Sequence, residues 1–263
     1  MVKIINIMSR FSRAKKIHFQ TVEGRRSVLE SMRSDRKIEK LLIFKNIEKG
    51  KQIDEIIKTA TNKQIEIIYC DLDQLDRQSH TKKHQGIIAV VPDPKYYNLD
   101  EILETLEDSK NTLFIILDGL EDPQNFGAIS RTAEAIGVAS IIIPQRRSVS
   151  ISPGSMRASA GALEHIKVCK VTNLNNTINH LKSKGFTVYG LDGNSNNVFT
   201  KIEFTCKSVI VIGSEGKGIS SLVKKNCDQL ISIPMSGKIE SLNASVSASI
   251  VMYEYFMNYA EKK

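Results

Sequence analysis

Apolar runs of strand length alternate with segments of helical period along the chain, and this alternation constrains the fold more than any other feature. Residues 41–44, 65–70, 87–91, 113–117, 140–143, 186–191, 209–212 and 230–233 read as strands. Between them, residues 24–33, 52–60, 126–136, 155–163, 174–182, 220–225 and 243–260 read as helices; Ile53, Ile56 and Ile57, for example, share one helical face. Strands and helices written in alternation form a mostly parallel sheet covered on both faces, and such sheets bind ligands where the carboxyl ends of their strands open. The expected fold class is α/β. No apolar stretch reaches the roughly 18 residues that a membrane span needs, so no membrane partner is expected.

Pro92 and Pro94 remove two backbone donors just before Lys95, Tyr96 and Tyr97, which places the expected domain boundary near residues 92–105. The chain then divides into a basic arm (1–22), a small α/β domain (23–95), a linker (96–105) and a larger α/β domain (106–263). Charge is distributed unevenly. Residues 1–100 hold 20 Lys and Arg against 13 Asp and Glu, a balance of +7, and residues 101–263 hold 17 against 16, a balance of +1. A basic part beside a neutral part suits contact with a polyanion, most often nucleic acid, although a solvated lysine-rich surface has the same composition.

Residues 1–22 contain Lys3, Arg10, Arg13, Lys15 and Lys16 and no acid, which fits an organellar transit peptide and a basic RNA-binding arm equally. They lack the long apolar segment and cleavage site of a secretory signal. Cys70, Cys169, Cys206 and Cys227 are far apart and form no C-x-x-C pair, so a reduced, cytoplasmic compartment is expected. His80 and His84 are four residues apart but lack the glutamate of a zincin, and no metal site is expected. Lys82, Lys83 and His84 read as a basic loop near RNA or as a solvated one.

Three polar, small-residue segments of the larger domain each follow an apolar strand. The first, residues 118–131, contains Asn125, read as the cap of a helix opening at Phe126, with Gly127 and Ala128 leaving the first turn bare for a ligand. Arg131 follows nearly two turns later, and its side chain leans toward the helix start. The second, residues 213–218, sets Glu215 and Lys217 among three glycines; it matches neither the P-loop nor the dinucleotide fingerprint. The third, residues 234–245, leads through Ser241, Leu242 and Asn243 into the last helix. Small residues at the start of that helix, with Tyr253, Tyr255, Phe256 and Met257 further on, suit either core packing or a subunit interface. No G-x-S-x-G motif marks a nucleophile.

Taken in order, these segments resemble the three signature motifs of the SpoU (TrmH) family of RNA ribose 2′-O-methyltransferases, within the knotted SPOUT superfamily. The matching residues are Asn125-x5-Arg131, the loop at 213–218, and Ile233-Pro-Met with Ser241-Leu-Asn. Upstream, residues 24–30 and His84-Gln-Gly look like the substrate-binding domain of the branch that methylates a guanosine in large-subunit rRNA. That domain has a small α/β fold like a ribosomal protein's. The resemblance spans about residues 24–258. It implies a trefoil knot in the C-terminal chain, a homodimer whose second subunit helps complete the site, an rRNA substrate, and S-adenosylmethionine held by loops around Leu191, Gly213, Ile233 and Leu242. It further implies that Asn125, Arg131, Glu215, Ser241 and Asn243 form the catalytic group, and it gives RNA contacts to Arg25, Arg26, Lys82, Lys83 and His84.

A ribose hydroxyl is a poor nucleophile until it loses its proton, whereas a sulfonium methyl is already activated, so the protein has to align the two and favour the oxyanion. The resemblance gives this activation to Arg131. Neutralising a free arginine at pH 7 costs about 7 kcal/mol, so a protonated Arg131 stabilising the developing alkoxide is the less costly form of that role. The same chemistry on tRNA or at another rRNA position, and a non-catalytic RNA-binding or assembly factor on the same fold, are the competing readings.

Overall fold

The computed structural model describes residues 19–33, 37–48, 50–79, 82–106, 111–239 and 241–260. The basic arm up to residue 18, together with His80, lies outside them. The chain divides into two compact units, one ending at Pro94 and the other beginning at Lys95.

The first unit runs β1 (Phe19–Glu23), α1 (Arg25–Arg33), β2 (Lys40–Phe44), α2 (Lys51–Asn62), β3 (Glu66–Cys70), α3 (Leu72–Gln78) and β4 (Ile87–Pro92). Its sheet has the order β1-β4-β2-β3, with β2 and β3 parallel and β4 antiparallel to both β1 and β2. Leu41 and Ile43 alternate inward along β2 and meet Ile53, Ile56 and Ala60 of α2 and Val28 and Met32 of α1. Each fully buried aliphatic side chain here contributes about 1.5–3 kcal/mol relative to exposure, before the entropy of ordering is subtracted. Residues 19–22, read above as arm, belong to β1 and pair with β4.

The second unit runs α4 (Leu99–Glu104), β5 (Thr112–Asp118), α5 (Pro123–Ala135), β6 (Ser140–Pro144), α6 (Pro153–Ala158), β7 (Val168–Val171), α7 (Leu174–Ser183), β8 (Thr187–Leu191), β9 (Lys207–Gly213), α8 (Ser221–Asn226), β10 (Gln229–Ile231) and α9 (Ala244–Ala260). Its six strands are parallel throughout, in the order β10-β8-β9-β5-β6-β7. A strand buried on both faces sends alternate residues to opposite layers. Leu113, Ile115 and Leu117 of β5 pack with Phe126 and Ile129 of α5 and with Val251 and Met252 of α9, while Phe114 and Ile116 pack with Ile178 and Leu181 of α7 and Val223 of α8.

The segment at 96–105 is not a linker. Leu99 and Ile102 of α4 are buried in the second of these layers, and Tyr97 forms a parallel bridge with Cys169. The capping Asn98 and the amphipathic Leu-x-x-Ile spacing start a helix of the second unit directly after the prolines, which end both β4 and the first unit.

Strand order decides where a site can form. β5 proceeds outward through β6 and β7, whereas β9, β8 and β10 lie on its other side, so the sheet reverses between β5 and β9. Asp118 at the end of β5 is in register with Gly213 at the end of β9, which opens the following loops side by side.

Candidate active site

The helix after β5 starts earlier than the sequence indicates. Asp122 is its cap, accepting from the backbone N–H groups of Gln124 at 3.0 Å and Asn125 at 3.2 Å, and Pro123 occupies the first turn. Aspartate followed by proline is the stronger start signal, because proline presets the helical φ and needs no donor. Asn125 is thereby freed from capping, and its side chain, 5% exposed, turns toward the neighbouring loop.

That loop closes on itself. Ser214 and Gly218 exchange two backbone hydrogen bonds, 3.1 and 2.8 Å, with Gly218 at φ +62°. Asp118 holds its far side by accepting from the Ser220 N–H at 2.7 Å. Gly213 permits the closure: a Cβ there would stand 2.0 Å from the carbonyl carbon of Gly218 and 2.2 Å from the nitrogen of Ile219. Glu215 lies at the exposed turn.

Asn243 joins the two loops. Its Oδ1 caps α9, accepting from the backbone N–H of Ser245 at 2.9 Å and from the Ser245 hydroxyl at 2.6 Å. Its Nδ2 donates to Asn125 Oδ1 at 2.9 Å and to Glu215 Oε1 at 2.6 Å. Asn125 Nδ2 also donates to Glu215 Oε1, at 2.9 Å. Two amides and one carboxylate, from three segments distant in sequence, therefore form a closed triangle at the switch point. Bonds to a charged acceptor are roughly twice as strong as neutral ones, so Glu215 fixes the triangle more firmly than a third amide would.

The structure places the remaining sequence candidates differently. Arg131 is exposed and has no hydrogen-bond or ion-pair partner among the described residues. Ser241 is exposed and is not drawn into the triangle. Leu191 and Ile233 are partly buried, each packed by one side on the core layer beneath α5 and α9, and Leu242 is likewise partly exposed. Leu191 pairs with Ile231, so the loops after β8 and β10 leave the sheet together. Asp192, next to Leu191, is 2.5 Å from Lys224 of α8; burial raises its pKa, but the Lys224 ammonium and the Asn194 N–H outweigh that and hold the carboxyl below its usual range. In the first unit, Arg26 pairs with Glu30 at 3.5 Å, Lys82 and Lys83 are exposed, and His84 is buried with both ring nitrogens engaged.

Gly127 was expected to open the first helical turn to a ligand, and it does something else. A Cβ at this position would meet Ala158 Cβ at 2.4 Å and Ser155 O at 2.7 Å, so the missing side chain lets α5 lie directly on α6. Ser152 and Ser155 form the capping box of α6, which explains the Ser-Pro-Gly-Ser sequence without a ligand. The sequence reading missed Asp118 and Asp122; the Asp-Pro pair was the available signal for Asp122. Burial pushes the Cys227 thiol up to about 12 and also raises Cys169, so neither is a nucleophile near neutral pH.

This geometry can be set beside known proteins. Residues 112–253 match the SpoU rRNA Methylase family, and residues 21–97 match the RNA 2′-O ribose methyltransferase substrate-binding family. A Bacillus subtilis protein assigned to the TrmH family of tRNA/rRNA methyltransferases is 43% identical over 236 residues, covering 89% of this chain and 94% of its own length.

The chain belongs to the SpoU methylase family.

A Staphylococcus aureus protein also assigned to the TrmH family matches to the same extent, 43% identity over 89% of this chain and 94% of its own. Among solved structures, the SpoU methyltransferase AviRb of Streptomyces viridochromogenes, bound to AdoMet, shares the fold with a TM-score of 0.71 at 24% identity, covering 92% of this chain and 91% of that one. The TrmH/SpoU tRNA-modifying enzyme of A. aeolicus is 29% identical with a TM-score of 0.53, over 62% of this chain and 83% of its own. The SpoU match spans the strand ends that carry Asn125, Glu215 and Asn243, and the substrate-binding match spans the first unit.

Proposed function

We propose that this chain methylates a ribose 2′-hydroxyl of RNA using S-adenosylmethionine, with a guanosine of large-subunit rRNA as its target. The observation that carries this reading is the Asn125–Glu215–Asn243 triangle at the sheet's switch point, in a chain whose second unit is a SpoU methylase. Such a triangle fixes three loops at once, which is what a reaction governed by alignment requires.

The residues present suit the cofactor. Leu191 and Ile233 offer partly buried apolar surface at neighbouring strand ends, a setting for a flat heterocycle, and Gly213 and Leu242 border the same loops. When bound, the cofactor supplies an activated methyl group. The protein's part is then to hold the ribose oxygen in line and to stabilise negative charge on it. Arg131, which has no ion-pair partner among the described residues, supplies that charge, while Asn125, Glu215, Asn243 and Ser241 position the elements around it. The knot belongs to this reading through the family match alone.

The homodimer also belongs to it. Val246, Tyr253 and Met257 of α9 are 46%, 48% and 51% exposed at spacings of seven and four, an apolar stripe that a second copy would cover. The test is transfer of labelled methyl by the purified protein to large-subunit rRNA fragments and, in parallel, to tRNA, with the modified ribose mapped by primer extension. Label on an rRNA guanosine is the expected result. Label on tRNA alone would move the substrate, and no label on either RNA would favour the non-catalytic assembly factor.

A further inference from the structure

The buried histidine of the first unit has no part in the chemistry above, and its surroundings give it a different one. His84 is 5% exposed. Its Nδ1 accepts the Gly86 N–H at 3.0 Å, which leaves the ring proton on Nε2, 3.1 Å from Asp76 Oδ1 on α3. A side chain so placed is not available to RNA. What it does is clamp a tight reversal in which Lys82, Gln85 and Gly86 all have positive φ, at 54°, 51° and 81°. Non-glycine residues rarely adopt that conformation, and it persists where surrounding bonds determine it.

The reversal is joined to the start of α1, sixty residues earlier. Gln85 Oε1 accepts from the Arg25 backbone N–H at 3.2 Å, and Arg25 Nε donates to the Gln85 carbonyl at 3.4 Å. Gly24 N–H donates to Ile87 O at 3.2 Å. The other limb is held too: Lys82 N–H donates to Ser79 Oγ at 2.7 Å, whose hydroxyl donates to Glu23 Oε2 at 2.8 Å. Because its Nε is occupied, Arg25 is oriented with its two terminal nitrogens available as a fork. Among the described residues neither Arg25 nor Lys82 has an acidic partner.

We propose that His84 is a positioning residue for RNA capture: held between Asp76 and the Gly86 amide, it sets the 82–86 turn so that Arg25 and Lys82 meet RNA phosphates as one preset pair. This rests on reading the first unit as the RNA-binding part of a methyltransferase. The gain is in pre-organisation, since the turn and the arginine need no further ordering on binding.

The experiment measures methyl transfer by the full-length protein against RNA concentration and salt. Asp76→Ala, at a partly exposed position, and His84→Ala are each expected to raise KM for RNA about 10-fold, with kcat and equilibrium binding of S-adenosylmethionine unchanged. The double variant is expected to be no worse than either single one, because both break the same link. Asp76→Asn, whose amide oxygen still accepts from Nε2, is expected to return KM to within about 3-fold of the parent. Arg25→Ala with Lys82→Ala separates the two ideas. It is expected to raise KM and flatten the salt dependence by about one to two units of slope. If that pair changes KM and the Asp76 and His84 variants do not, the positioning role is wrong. If none of them changes KM, the RNA-binding reading of this face is wrong as well. A fall in kcat or in cofactor binding in Asp76→Ala would show a general structural defect and overturn the proposal.

Discussion

Replacing Asn125 by aspartate alters the shape of the side chain least and its electrostatics most. The oxygen that accepts from Asn243 remains, but the group that donated to Glu215 becomes a second carboxylate oxygen in a position 2.9 Å from Glu215 Oε1. Two unit charges at that separation repel by about 6 kcal/mol at an effective dielectric of about 20. Glu215 is exposed, so roughly two thirds of this is discounted for solvent screening, and about 2 kcal/mol remains. Paired carboxylates relieve such repulsion by sharing one proton, so the folded variant holds a proton that the unfolded chain has released, and its stability falls as pH rises. Initial rates of labelled-methyl transfer, measured from about pH 5.5 to about pH 8.5 at saturating RNA, provide the assay. At about pH 8 the Asn125→Asp enzyme is expected to be slower than Asn125→Ala, which itself loses about 30-fold from two missing hydrogen bonds. Toward about pH 6 the aspartate variant is expected to recover and overtake the alanine variant. A flat profile for Asn125→Asp, or a rate at about pH 8 equal to that of the parent, would refute the triangle's role in holding the site.

Arg131→Ala is expected to abolish transfer while leaving S-adenosylmethionine binding within about 3-fold, as read by calorimetry; full transfer would remove Arg131 from the mechanism. Gly213→Ala drives a methyl into the backbone of Gly218 and Ile219, and a loss of about 3 kcal/mol in urea unfolding of the second unit is expected, with activity lost in parallel. Tyr253→Asp puts a charge in the α9 stripe and is expected to yield monomers in sedimentation, whereas an unchanged mass would place the subunit contact elsewhere. Mixing inactive Arg131→Ala and Asn243→Ala chains under subunit exchange is expected to restore about a quarter of parental activity if a second copy supplies the arginine, and none if both residues act within one chain.

The elements legible in the sequence are those whose burial follows one period. β2 alternates, β5 and β9 are apolar almost throughout, and α2 and α7 keep one buried face. The elements missed bury too little to leave a pattern. In α3 only Leu75 is buried, α4 is six residues long with two buried positions, and β7 has four residues. β1 could not be told from the basic arm, because its membership depends on hydrogen bonds to β4 some seventy residues away. Capping was misassigned at α5 for a related reason: Asp122 and Asn125 both suit a cap, and only the neighbouring loop shows that Asn125 is needed elsewhere.

The candidate site was legible as chemistry and not as geometry. Motif order identified Asn125, Glu215 and Asn243, yet residues separated by 90 and 118 positions reveal no mutual hydrogen bonds in sequence. Nor could the motif show that Arg131 stands apart from them. Six residues along an α-helix amount to a rotation of about 240°, so a side chain at 131 leaves α5 on a different face from one at 125. In the structure Asn125 is buried against Glu215 and Asn243, while Arg131 is exposed and pairs with no carboxylate among the described residues. One helix thus separates two tasks. Its buried face fixes the loops of its own chain, and its open face carries the guanidinium. The short spacing Asn125-x5-Arg131 therefore encodes two directions rather than one pocket, and this is why mixed chains, more directly than either single variant, can locate the arginine's work.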